Sequence, residues 1–406
     1  MAGERATGPE VGEPEASKRW RSYVFLVLTA VHALILLLLL ELGAQALFLA
    51  RDAWMPAALD EQVRSAYPGS GDDAIRQLLD ETWQRPWRYE PWVGFREAPR
   101  RGDFVNISEN GGRFGKLMHE RDPFAPADGL TDVFIFGGST TFGYGVHDAE
   151  TFPARLESYL EQVRVFNFGR GYYYSAQELA LFQDLLRRGA RPDVVIFVDG
   201  LNEGQPAPFY SAEMSRLFAA YNESPTRLTA LGLGAVWQRS ALRRLSASVL
   251  RRLGIAPSTA DSALLEGEHA TPGEVRDAYL AARRQIEAVA RAHGVTVFFF
   301  IQPVPGYRNE LAHHPWMRHE NSPATAARMR LLDGTVDGIT SSSLAGLLDG
   351  FVGQAFVDSF HYSPAVNDLL AQEIARHLRA SLAQRPSAAT TEAQPVQIQE
   401  RPANDG

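Results

Sequence analysis

Apolar residues in this chain gather in short runs, and each run is followed by a stretch with helical spacing. Residues 132–136 form one such run, ending in glycines, and read as a buried parallel strand feeding a tight turn. Residues 165–168, 192–198 and 295–301 read as the second, third and fourth strands, and 354–357 as a short fifth. Helices are predicted between and after them. Phe152, Leu156 and Leu160 recur four apart within 149–163, and a helix over 176–188 closes on Gly189. Others are expected over 273–293, ended by Gly294, from about residue 324, and over 364–382. This alternation predicts an α/β fold, a doubly wound parallel five-stranded sheet covered on both faces. Ligands in such sheets bind at the carboxyl ends of the strands.

The remaining segments break the alternation. Residues 1–22 include a polar stretch expected to be disordered, and Lys18, Arg19 and Arg21 stand just before an apolar run. That run, 23–50, is interrupted early only by Thr29 and His32 and is long enough to span a bilayer. The basic cluster predicts a cytoplasmic N-terminus and an extracytoplasmic remainder, a single-pass membrane protein. The run is longer than a usual signal-peptide core, which favours an uncleaved anchor; Ala44-Gln45-Ala46 offers the alternative of a processing site. Residues 51–130, rich in Trp, Arg, Pro and Gly, read as a neck containing a short helix near 71–83. The catalytic domain is expected over 131–383, with a helical insertion at 205–272, and 384–406 as a disordered tail. Within the insertion, 235–253 suits a basic amphipathic helix. Such a helix rests on an anionic surface, covers a site, or packs on its own domain.

Composition narrows the partners. The chain has 406 residues, a net charge of −8 and a pI near 5.7, a balance that gives no reason to expect nucleic acid. It has no cysteine, which excludes disulfides, thiolate metal sites and a Cys nucleophile. His313, His314 and His319 are near one another but read as a polar loop rather than a metal site.

Three distant fragments fall at strand ends and carry chemistry. Ser139, in Gly138-Ser139-Thr140-Thr141 after the first strand, is the candidate nucleophile; alone, such a serine reads as a helix N-cap. Asn202 after the third strand is a candidate oxyanion donor. Asp358 and His361, in Asp358-Ser359-Phe360-His361, supply a carboxylate and a base three residues apart. A serine hydroxyl needs such a base, and the base needs an orienting acid. The Ser139 backbone N–H is a second donor, and the turn 167–172 is expected to give a third.

These blocks resemble the SGNH hydrolases, the GDSL-type lipase and esterase superfamily. The blocks are Phe136-Gly137-Gly138-Ser139-Thr140-Thr141-Phe142-Gly143, residues 167–175, Gly200-Leu201-Asn202 and the final Asp-x-x-His. The resemblance covers about 130–383 outside the insertion. It implies a flavodoxin-like α/β/α sandwich and a serine esterase triad without metal or organic cofactor. Two positions depart. Gly138 stands where the name-giving motif has Asp, and Tyr172 stands where the oxyanion glycine is expected, with Gly171 one residue early. Gly171 is the expected donor. Tyr172, Tyr173 and Tyr174 either line the cleft or pack beneath it.

The leading functional reading is an envelope-anchored esterase removing an acyl group, O-acetyl being the natural case, from a glycan, lipid or small ester. An O-acyltransferase would use the same acyl-serine. A non-catalytic glycan- or protein-binding module is the alternative from another class.

Overall fold

The computed structural model describes residues 15–54, 59–115, 122–126, 129–203, 234, 236–237, 240–252, 271–309, 323–336 and 340–382. The 384–406 tail, the first fourteen residues, the His313–His319 loop and most of the insertion lie outside the described residues. The chain divides into two compact units, Met1–Ala58 with Ala207–Gly267, and Leu59–Pro206 with Glu268–Gly406.

The second unit holds the sheet. An antiparallel hairpin, β1 (Trp87–Glu90) and β2 (Gly94–Glu97), stands apart from five parallel strands. These are β3 (Thr131–Gly137), β4 (Val163–Asn167), β5 (Val194–Asp199), β6 (Thr296–Ile301) and β7 (Ser341–Ser343), in the order β4-β3-β5-β6-β7. Successive side chains of β3 point to opposite faces. Val133 and Ile135 pack with Val366, Leu370 and Ile374 of the last helix, Pro364–Leu382. Phe136 on the other face stacks on Phe197 at 4.9 Å, and Phe197 on Phe299 at 5.6 Å. Each such buried ring contributes on the order of 1.5–3 kcal/mol. Both faces being covered is what makes the strand runs nearly all apolar.

The fifth strand is not where the apolar pattern put it. Residues 354–357 form only a single bridge, Phe356 to Tyr362, and the edge strand is the polar Ser341-Ser342-Ser343 paired with Phe299–Ile301. An edge strand three residues long needs no apolar run, because only one side of it is paired. The helix expected over 149–163 is shorter, Phe152–Tyr159, since Val163 already begins β4.

The segment read as a neck is built into this unit. Its helices α2 (Glu61–Ser65) and α3 (Asp72–Trp83) lie in the same unit, and Tyr67, Ile75, Leu78 and Ile107 share a core with Phe142, Tyr144 and Val357. Glu81 of α3 accepts the backbone N–H groups of Asp103, Phe104 and Val105 at 3.1, 2.9 and 2.9 Å. Burial raises its carboxyl, but those three donors outweigh it and hold the group below its ordinary value.

In the first unit, α1 (Glu15–Trp54) is a 40-residue helix. Its Arg19–Arg51 stretch, which contains an 18-residue window of mean hydropathy 2.7, is long and apolar enough to cross a membrane. Two of the polar residues inside it are satisfied locally: Thr29 donates to the Phe25 carbonyl at 2.8 Å, and the His32 ring meets the Leu28 carbonyl at 2.6 Å. The described part of the insertion includes a helix, Ala241–Arg252, shorter than 235–253, with Ala241, Leu242 and Leu245 against Ala44 and Phe48 of α1.

Candidate active site

Strand β3 ends at Gly137, and a one-turn helix, Ser139–Phe142, begins two residues on. A Cβ on Gly137 would overlap the Thr141 hydroxyl and lie 2.9 Å from the Val198 carbonyl, so only glycine allows so tight a turn. The turn brings Ser139 Oγ within 2.8 Å of His361 Nε2, across 222 residues of sequence. The other ring nitrogen, Nδ1, is 2.6 Å from Asp358 Oδ2. Ser139 and His361 are both buried, at 7% and 2% exposure.

The Asp-x-x-His spacing has a mechanical reason. Asp358 Oδ1 accepts the backbone N–H of Phe360 at 3.0 Å and of His361 at 2.8 Å, closing a turn that leaves Oδ2 aimed at the imidazole. Burial pushes this carboxyl up, but His361 and the two amides outweigh it and hold it below its ordinary value. The loops bearing Ser139 and His361 are tied by Gln302, just past β6. Its Oε1 accepts the Thr140 hydroxyl at 2.7 Å and the Tyr362 hydroxyl at 3.0 Å, the neighbours of Ser139 and His361.

Aromatic rings enclose the imidazole. Tyr144 stacks on it at 5.0 Å and 23°, and Trp83 meets it edge-on at 5.6 Å. Burial, then the Glu97 carboxylate, pushes the Tyr144 hydroxyl well above its ordinary value, so it donates to Glu97 Oε1 at 3.2 Å. The same oxygen accepts the Gly171 N–H at 2.9 Å and Arg85 Nη2 at 3.4 Å. Arg85 in turn lies over the Tyr144 ring at 4.2 Å. Trp83, Arg85 and Glu97 come from the segment read as a neck, and the sequence pattern carried no signal for them.

Asn202 lies across the nucleophile turn, as its block suggests. Its Nδ2 donates to the Tyr173 carbonyl at 2.7 Å, and a Cβ on Gly138 would overlap that nitrogen. The glycine that replaces the motif's Asp therefore leaves room for the amide. Gly171 does not serve as expected: its N–H is turned to Glu97. Tyr172 instead adopts a left-handed backbone, φ 66°, the conformation that favours glycine and the position where the spacing puts one. Of the three tyrosines, Tyr173 is buried, while Tyr172 is half-exposed beside Trp87, 6.2 Å between rings.

The next residue, Glu203, ties this loop to the second block. Its carboxylate accepts the N–H of Ser175 at 2.7 Å and the Ser175 hydroxyl at 3.0 Å. Glu203, Asp199 and Glu178 are all buried, and burial first, then their mutual repulsion, raises the carboxyls of Glu178 and Asp199 well above their ordinary values. Among the described residues, no group of three or more His, Cys, Asp or Glu side chains is arranged to hold a metal ion.

No family model matches this chain. No curated protein matches it either. Among solved structures, a member of the lipolytic protein G-D-S-L family from Veillonella parvula DSM 2008 is 10% identical over 63% of this chain and 100% of that one, with a TM-score of 0.34. The psychrotrophic esterase EstA from a Pseudoalteromonas species is 11% identical over 63% and 100%, with a TM-score of 0.32. The acetyl xylan esterase AlAXEase is 13% identical over 62% and 99%, with a TM-score of 0.33.

Proposed function

We propose that this protein is a serine ester hydrolase of the SGNH type, with Ser139 as nucleophile, His361 as general base and acid, and Asp358 as the orienting carboxylate. The observation that carries this reading is the pair of contacts joining them, 2.8 Å from Ser139 Oγ to His361 Nε2 and 2.6 Å from Nδ1 to Asp358 Oδ2. With the Nδ1 proton assigned toward Asp358, Nε2 offers its lone pair to the serine hydroxyl. Oγ attacks the ester carbonyl while its proton passes to Nε2. Collapse of the tetrahedral intermediate expels the alcohol, which takes that proton, and leaves an acyl-serine. Water then attacks by the same route and releases the acid.

The developing oxyanion is met by the Ser139 N–H at the helix start and by the second amide hydrogen of Asn202, the first being held by Tyr173. The left-handed backbone at Tyr172 supports its amide as the third donor. The substrate we propose is a short acyl ester, O-acetyl above all, of an envelope glycan or lipid. Support comes from the aromatic rings crowding His361 and from half-exposed Trp83, Trp87 and Tyr172, faces suited to a sugar ring. We place the N-terminus in the cytoplasm and the catalytic unit outside, with α1 as an uncleaved anchor, on the Lys18, Arg19 and Arg21 cluster before it.

A fluorophosphonate probe on the purified full chain tests the chemistry. It should label Ser139 and abolish hydrolysis of short acyl esters, while Ser139→Ala should lose both by several orders of magnitude and keep its fold. Labelling at another residue, or near wild-type turnover in Ser139→Ala, sinks the proposal.

A further inference from the structure

We propose that the helix Ala241–Arg252, clamped to α1 by Glu41, lies along the headgroup layer of an anionic bilayer. This rests on the anchor reading of α1 above. The apolar stretch 23–50 spans about 42 Å as a helix, longer than the hydrocarbon core of about 30 Å. Arg21 and Glu41 are twenty residues apart, about 30 Å, so with Arg21 at one face of the core Glu41 reaches the other. The turns after Glu41, with Leu47 and Leu49 exposed, extend into the headgroup zone.

There the second helix is held at a fixed depth. Glu41 Oε1 accepts the N–H of Ala241 at 2.7 Å and the Gln45 amide at 3.0 Å, and Oε2 accepts the N–H of Leu242 at 3.0 Å. A carboxylate at the boundary of the apolar core is thereby satisfied by the first turn of another helix, whose positive end favours it. Ala241, Leu242 and Leu245 cover Ala44 and Phe48, and the Arg244 guanidinium lies 4.5 Å over the Phe48 ring. The apolar side that a lid would need is thus occupied by α1.

What remains uncovered has the character of an interfacial helix. In sequence the segment carries Arg243, Arg244, Arg251 and Arg252 and no acidic residue, and among its described side chains Arg244, Val249, Leu250 and nearby Trp237 are exposed. Guanidinium groups pair bidentately with phosphate, and exposed Val, Leu and Trp suit the acyl boundary beneath it. A zwitterionic surface lacks the net negative potential that draws arginines, so the partner is the anionic phospholipid of that leaflet.

The absence of cysteine makes the test direct. A nitroxide on Val249→Cys in the full-length chain would be measured in nanodiscs of phosphatidylcholine, with or without about one-third phosphatidylglycerol. We expect collisions with a soluble nickel chelate to fall about threefold in the anionic discs while collisions with oxygen rise. Replacing the four arginines by serine should restore the phosphatidylcholine value and leave turnover of a soluble ester unchanged. Equal chelate access in both bilayers, or a fall that persists without the arginines, overturns the inference. A label on Leu36→Cys reports the anchor separately: if it meets the chelate freely, the anchor reading fails, whatever Val249 does.

Discussion

Glu97 concentrates several dependencies in one oxygen, so removing it should be costly in a recognisable way. Oε1 receives the Gly171 N–H, the Tyr144 hydroxyl and Arg85 Nη2, and both charged side chains are almost fully buried, at 2% and 0% exposure. Glu97→Ala leaves the Arg85 charge in the interior without its counter-ion, a loss of about 3–5 kcal/mol, and it orphans two further donors. The Arg85 guanidinium keeps the faces of Tyr144 and Phe142, at 4.2 and 4.7 Å, which partly compensates. The net expectation is about 4 kcal/mol. With a urea slope of about 2 kcal/mol per molar, the unfolding midpoint drops by about 2 M. Tryptophan fluorescence of the detergent-solubilised chain reads this, since Trp83 and Trp87 flank the cluster. Arg85→Met/Glu97→Leu removes both charges together and should recover at least half of the loss. A single variant within about 1 kcal/mol of wild type, or a double variant as unstable as the single, refutes the account of a buried pair supporting the site.

Other outcomes follow from the same geometry. Asn202→Ala should lower kcat by about 10²–10³ with little change in KM, read by steady-state hydrolysis of a short acyl ester. Gly138→Ala pushes a methyl into the space of the Asn202 amide and should lose kcat in the same direction, with an unchanged melting temperature. Gln302→Leu orphans the Thr140 hydroxyl and should cost about 1–3 kcal/mol in urea unfolding. Because the folded Asp358 carboxyl lies below its ordinary value, it contributes stability that is full above about pH 4 and is lost as pH falls through the lowered value. The stability gap between wild type and Asp358→Asn should therefore narrow on acidification, measured as the midpoint difference across pH.

Much of this is legible in the sequence. The apolar runs of β3, β5 and β6 are buried on both faces, so their pattern is strong, and the turns after β3 and β5 carry Ser139 and Asn202. Ser139, Asp358 and His361 meet as their types and order suggest, although the run before Asp358 is not a strand of the sheet. The failures have physical causes. An edge strand of three serines carries no hydrophobic signature, and the apolar 354–357 run packs into the core without pairing in the sheet. Spacing alone cannot say which amide of a turn faces inward, and the Gly171 N–H turns to an acceptor, Glu97, that is 74 residues away. The hairpin lacks a clear period because its rings and charges answer to partners elsewhere in the chain, Phe95 to Tyr173 and Glu90 to Arg170, rather than to a face of its own.

The 222 residues between Ser139 and His361 also set a schedule. At about 5–20 residues per second, a ribosome takes roughly 10 to 45 seconds to go from the nucleophile to its base. During that interval β3 has its neighbour β4, but the face carrying Val133 and Ile135 waits for Val366, Leu370 and Ile374 of the final helix. The hydroxyl of Ser139 stays chemically ordinary until then, because nothing withdraws its proton. On the proposed mechanism, a chain cut short anywhere before Asp358 is an inert product, and activity begins only when synthesis has delivered both His361 and the helix that closes the core.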